Sequence, residues 1–337
     1  MGFDRQALAS AVAQLAASNV YIGTSSWKYL GWLGQLYDEQ RYLYRGKVAK
    51  SRFEKGCLEE YAEVFKTVCV DAGYYQFPQP KMLETLASQV PNDFLFSFKV
   101  TEEITVKQFT RLPRYGPRAG KENSNFLNAD LFQGAFLGPL SPYRSKVGVL
   151  IFEFSHFYSR DFERGRDFIE RLDGFLAQLP SHWQYGVEIR NKSFLHDAYF
   201  EVLARHGVAH IYNNWQRMPP VAAQLALPKA RTADFTGARF LLTPGRDYKR
   251  AVETFSPYDR VQAADPAARQ AAVDLIQGAL RDMAVKPSVL YVNNRLEGNA
   301  LETIMAVLTT LGLVSERIRL SYRANFIKKL DNYDFYI

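Results

Sequence analysis

The chain has 337 residues, of which 47% are hydrophobic and 23% charged, values that exclude a disordered chain and leave material for a large core. Its 42 Lys plus Arg against 35 Asp plus Glu give a formal charge of +7, too thin over so large a surface to name an anionic partner unless the charges cluster. Only Cys57 and Cys69 are present, so a disulfide framework is excluded and both read as packing thiols in a reducing compartment.

In chain order, residues 4–17 read as a helix set ahead of the rest. Short apolar runs that suit buried parallel strands then recur at residues 20–23, 67–71, 94–100, 147–154, 185–190, 209–213, 238–243 and 288–293. Helical patterns lie between them. Leu58, Tyr61, Ala62 and Phe65 share a helical face, and so do Phe168, Leu172, Phe175, Leu176 and Leu179 ahead of Pro180. Residues 111–145 are rich in Gly, Pro, Asn and Arg and read as a long loop. Asp265 followed by Pro266 gives a cap and a first-turn proline for a helix reaching Met283.

Eight alternations of strand and helix in one chain point to an α/β fold, a (β/α)8 TIM-type barrel in a single domain with an extra N-terminal helix. The expected organisation is a helix over 1–18, the barrel over 19–316 and an aromatic tail over 317–337 packed on the barrel. The longest apolar run, residues 147–152, is far short of the roughly 20 residues of a spanning helix. Met1-Gly2-Phe3-Asp4-Arg5-Gln6 has neither a leader pattern nor a myristoylation motif. A soluble, cytoplasmic protein without a membrane partner is therefore expected.

Nearly every proposed strand carries polar residues at its C-terminal end. They are Thr24 and Ser25, Asp71, Lys99, Glu153, Glu188 with Arg190, Asn213 and Asn214, Thr243 with Arg246, and Asn293 with Asn294. Barrel enzymes build their sites at that face, so these groups are expected to converge on one mouth; the alternative is that polar residues simply begin loops.

At these residues the sequence resembles the domain-of-unknown-function 72 family, also called YecE-like. The matching pieces are Gly23-Thr24-Ser25-Ser26-Trp27-Lys28-Tyr29 with Trp32, Gly34 and Tyr37, then Phe96-Ser97-Phe98-Lys99-Val100, Leu137-Gly138-Pro139-Leu140, Val187-Glu188-Ile189-Arg190, and Tyr291-Val292-Asn293-Asn294 with Gly298 and Ala300. The resemblance covers the chain from about Tyr21 to Leu308 and implies a barrel without an established activity. It departs at Cys69 and Asp71, where the family's carboxylate stands two positions earlier, and at Val106, Glu153, Asn191, Leu242 and Pro244.

Glu188 and Arg190 are two apart on a strand and so share a side, which makes Glu188 a candidate acid or base and Arg190 an anion anchor. The same spacing also suits a salt bridge that satisfies the barrel interior. Asp71 and Glu153 are candidate second carboxylates, and Lys99 a candidate base, nucleophile or electrostatic partner. Arg246, Asn293, Asn294, Thr24, Ser25, Trp27 and Tyr74 complete the expected substrate-binding set. Two basic clusters, Lys107, Arg111, Arg114, Arg118 and Lys121 after strand three, and Arg246, Lys249 and Arg250 after strand seven, belong on the same face. The expectation is a small anionic partner, phosphorylated or sugar-like, acted on by a hydrolase or isomerase. The alternative is nucleic acid held by the basic loops with Trp27, Tyr29, Trp32, Tyr74, Tyr75 and Trp215. A scaffold that has lost activity is a third reading. No organic cofactor is expected, and the five histidines lack zinc spacing; Mg²⁺ or Mn²⁺ held by the carboxylates stays open as an alternative.

Overall fold

The computed structural model describes residues 3–71, 74–283 and 285–315. The tail expected over 317–337 lies outside the described residues.

Eight strands form at the apolar runs: β1 (Val20–Thr24), β2 (Thr67–Val70), β3 (Leu95–Lys99), β4 (Val147–Phe154), β5 (Gln184–Ile189), β6 (Ala209–Asn214), β7 (Gly237–Phe240) and β8 (Ser288–Val292). Each pairs in parallel with its sequence neighbours, and β1 pairs with both β8 and β2 to close the barrel. With intervening helices around it, this is the (β/α)8 architecture.

Alternation along each strand separates two apolar populations. Cys69, Val149, Ile151, Ala209, Ile211, Val289 and Tyr291 fill the barrel interior. Their neighbours on the other side, such as Val68, Leu150, Phe152, Val187 and Leu290, pack outward with the helices. Gly186 and Gly237 flank Ile211, and a Cβ at either position would stand within 2.4 Å of its Cδ1. Small residues on β5 and β7 thus admit one large side chain from β6. Lower in the barrel the Tyr291 hydroxyl donates to Ser97 Oγ at 2.7 Å, lies 2.8 Å from Thr67 Oγ1, and leaves Ser97 Oγ to accept from the Val149 N–H at 3.0 Å.

The N-terminal helix, Arg5–Ala16, begins where Asp4 accepts from the Ala7 N–H, and it buries Leu8, Ala11, Val12 and Leu15. The Pro266–Arg281 helix is capped by Asp265, which accepts from the Ala268 N–H. One expectation fails: the stretch read as a loop over 111–145 becomes helical from residue 129 to residue 146. Asn128 caps its start through Leu131, and Phe132, Phe136 and Leu140, four apart, turn one face into the core. Gly134, Gly138 and Pro139 hid that period, because they are poor helix formers tolerated here by buried aromatic packing.

Candidate functional site

Glu153 on β4 is the register partner of Glu188 on β5, and Asn213 on β6 the partner of Arg239 on β7. All four stand in phase with Ile151, Ile211 and Tyr291, so their side chains enter the mouth half of the barrel. There the Arg239 guanidinium, 2% exposed, becomes the hub. Its Nη1 donates to Glu153 Oε2 and to Glu188 Oε2, each at 2.7 Å, and its Nη2 to Asp71 Oδ1 at 3.1 Å. A guanidinium thus occupies the point on which three carboxylates converge. Among the described residues no three His, Cys, Asp or Glu side chains form a metal-binding group.

Two further cations close the cluster. Arg190 donates through Nε and Nη2 to Glu188 Oε1 at 3.0 and 2.8 Å, and its Nη2 also lies 2.8 Å from Glu153 Oε2. Lys99 Nζ lies 2.9 Å from the same Glu153 oxygen. Lys99, Arg190 and Arg239 therefore balance Asp71, Glu153 and Glu188 in formal charge. Burial by itself would raise the Glu153 carboxyl, but Arg190, Lys99 and Arg239 outweigh it and hold the group below the usual carboxylate range. Burial likewise opposes the Arg239 charge, and the carboxylates of Glu188, Asp71 and Glu153 overcome it, so Arg239 remains a cation.

Exposure grades the carboxylates from floor to mouth. The Glu188 side chain is 0% exposed, Glu153 6%, and Asp71 38%. Glu188 has both oxygens on arginines, whereas Asp71 Oδ2 accepts no hydrogen bond among the described residues. Aromatic rings from the loops flank the inner cations: Lys99 Nζ sits 3.9 Å from the Tyr74 ring centroid and Arg190 3.8 Å from that of Trp215. Tyr74 meets Tyr75 edge to face, and Trp215 meets Tyr248.

The model of a protein family of unknown function, DUF72, matches residues 21–325. The chain belongs to the DUF72 family. It is 24% identical over 175 residues to the UPF0759 proteins YecE of Escherichia coli K12 and O157:H7, a match covering 52% of this chain and 50% of theirs, so it spans about half the length of the curated relatives it matches. The crystal structure of a DUF72 protein from Thermotoga maritima superposes with a TM-score of 0.58 at 20% identity, covering 87% of this chain and 99% of that one. One from Enterococcus faecalis gives 0.57 at 14% identity, covering 87% and 97%. These likenesses carry the fold.

Within this DUF72 chain several matched residues have structural partners. Thr24 Oγ1 donates to the Ser26 carbonyl at 2.6 Å and lies 2.9 Å from the Tyr61 hydroxyl. The buried Trp27 receives the Tyr37 hydroxyl on its carbonyl. Asn294 Oδ1 caps Ala300 at 2.7 Å, and Asn293 Oδ1 accepts from the Arg295 N–H at 3.0 Å. Arg246 donates to the Leu296 carbonyl at 2.6 Å, tying the β7 loop to the β8 loop. Ser25 Oγ is buried and meets no partner among the described residues. In the first basic cluster Arg114 pairs with Glu102, Arg118 with Glu103 and Lys107 with Glu122. Among the described residues neither Arg111 nor Lys121 forms such a pair.

The hub itself escaped the sequence reading. Arg239 lies inside an apolar run, between Ala238 and Phe240, and strand ends drew attention instead. Its signal was its phase: a charged residue two positions from Gly237 on a buried parallel strand points into the barrel, where a guanidinium requires carboxylates.

Proposed function

We propose that the mouth of this barrel performs acid–base chemistry on a small sugar-like molecule, abstracting a proton beside a carbonyl and returning it to the neighbouring carbon. The observation that carries this reading is the division among the three carboxylates. Glu153 and Glu188 are held by guanidinium and ammonium groups, and among the described residues only Asp71 combines an oxygen that accepts no hydrogen bond with exposure to the mouth.

Asp71 Oδ2 takes the proton while Arg239 holds Oδ1 and orients the carboxylate. As the C–H bond breaks, its electron pair moves through the adjacent carbon to the carbonyl oxygen, which gathers negative charge. Lys99 has N–H donors beyond the one it gives Glu153, and Arg190 has Nη1, to which no described residue supplies an acceptor. Such preorganised cations stabilise charge that develops in the transition state. The hydroxyl on the first carbon passes its proton to that oxygen and becomes the new carbonyl, and reprotonation from Asp71 at the former carbonyl carbon completes an isomerisation with no net gain or loss of protons. Glu188, buried beneath both arginines, is a positioning residue. Tyr74 and Trp215 offer apolar walls to a sugar ring. Glycoside hydrolysis fits less well, because it needs two carboxyl groups free to reach the reacting carbon.

The test is carbon-bound hydrogen exchange in D₂O, followed by NMR over a panel of aldose and ketose phosphates and their neutral sugars. The expected result is washout of a C–H beside the carbonyl of a panel member, slowed by about a hundredfold or more in Asp71→Asn. Washout that persists unchanged in that variant, or washout from no member, would contradict the reading.

A further inference from the structure

We propose that Arg295 is the anion anchor of this mouth and that the substrate therefore carries a phosphate or carboxylate group. The inference rests on the acid–base reading only for where the reacting carbon lies; the anion subsite stands on its own observations.

Five cations around the mouth are already engaged. Lys99, Arg190 and Arg239 serve the buried carboxylates, Arg114 serves Glu102, and Arg246 holds the Leu296 carbonyl. Arg295 differs from them. It follows Asn293 and Asn294 just past the end of β8, where the Asn293 side chain fixes its backbone N–H. Among the described residues no carboxylate lies within ion-pair distance of it, and its Nε is buried without a hydrogen-bond partner.

The guanidinium is nonetheless held in place. It lies 4.7 Å from the centroid of Tyr248, itself part of the Trp215 wall. The Tyr258 hydroxyl accepts from one N–H of this guanidinium; stacking uses its face and leaves the remaining N–H groups at its edge for an anion, the geometry that favours hydrogen bonds to phosphate or carboxylate oxygens. Burial pushes the Tyr29 phenol up to about 12, while Arg295 lowers it and Asp71 raises it, so one hydroxyl feels both charges. Tyr29 packs edge to face with Tyr258 at 5.6 Å. Next to β8, Ser25 adds a buried hydroxyl without a partner among the described residues, on a segment whose N–H bonds to the Val292 carbonyl. A cation without a carboxylate, an orphaned buried N–H and an orphaned hydroxyl among the described residues thus stand at the adjoining ends of β8 and β1, and β1 pairs in turn with β2, the strand that Asp71 follows. An anionic group bound there presents the rest of a small molecule toward Asp71 and Lys99.

The experiment follows thermal stabilisation of the full chain by inorganic phosphate and, separately, by acetate, at constant ionic strength. Ligands that bind only the folded state raise the midpoint in a saturable way. The expected result is saturable stabilisation of the wild type by at least one of the two ions, the stronger identifying phosphate or carboxylate as the group bound. Arg295→Gln should weaken that response by about tenfold or more. Arg295→Lys, which keeps the charge but loses the planar fork, should fall between, and it decides the matter should the Gln variant not fold. The same midpoint response in all three proteins, or no saturable response of the wild type to either ion, would overturn the assignment. Asp71→Asn separates the two readings: it leaves Arg295 in place and keeps the ion response. A variant that retains both the ion response and proton exchange sinks the role of Asp71 and spares that of Arg295.

Discussion

Arg239 carries more of the site than any other single residue, because its two terminal nitrogens satisfy carboxylates from β2, β4 and β5. Removing it leaves Glu188 buried with only Arg190 to balance it, and an uncompensated buried charge is far costlier than the pair is worth. Arg239→Met should lower unfolding stability by about 3–5 kcal/mol in a denaturant titration, and adding Glu188→Met should recover part of the loss. Recovery of nothing would mean that packing, not charge, makes the arginine necessary. At this scale the sequence was informative where strands end and poor within them. Asp71, Lys99, Glu153, Glu188 and Arg190 were found because each stands at a strand terminus, and the structure brings all five into one network. Arg239 and Arg295 were not, since one interrupts an apolar run and the other stands alone beyond two asparagines. Several members of the Lys and Arg runs that looked most like anion sites instead found partners: Arg118 took Glu103, and Arg246 a backbone carbonyl.

Elements were more legible than residues, because a parallel strand buried on both faces must be an unbroken apolar run. All eight runs became strands, with ends shifted by a few residues, as at β7, which stops at Phe240. The helix over 129–146 stayed hidden because its face is set by aromatic packing against Gly and Pro propensities. Closure of the barrel depends on contact between β1 and β2, where Thr24 is the register partner of Val68. Gly23 makes that contact, since a Cβ there would stand 2.3 Å from the Thr67 carbonyl oxygen. Gly23→Ala should therefore cost about 1–3 kcal/mol in a denaturant melt, the usual penalty of overpacking. A neutral substitution would show that β1 and β2 can part without strain.

Across the whole molecule, the barrel does for this sequence what separate motifs do not: it gathers residues from 71 to 295 at one end of eight strands. The formal charge of +7 is correspondingly a poor guide, because Lys99, Arg190 and Arg239 are matched by Asp71, Glu153 and Glu188, while Arg295 meets no carboxylate among the described residues. Among the described residues no helix is long and apolar enough to cross a membrane. The fold follows from strand count and alternation, and the family from the matched segments. The proposed chemistry depends on which carboxylate faces outward, a property of depth along the barrel axis that spacing along the chain does not encode.

That depth is open to direct measurement without knowledge of the substrate. Carbodiimide coupling of an amine to carboxyl groups on the folded protein, read by peptide mass spectrometry, reports which carboxylates the mouth exposes. The account predicts that Asp71 is modified while Glu153 and Glu188 are spared until the protein unfolds, in keeping with their exposures of 38%, 6% and 0%. Modification of Glu188 in the folded protein at the rate of Asp71 would contradict it.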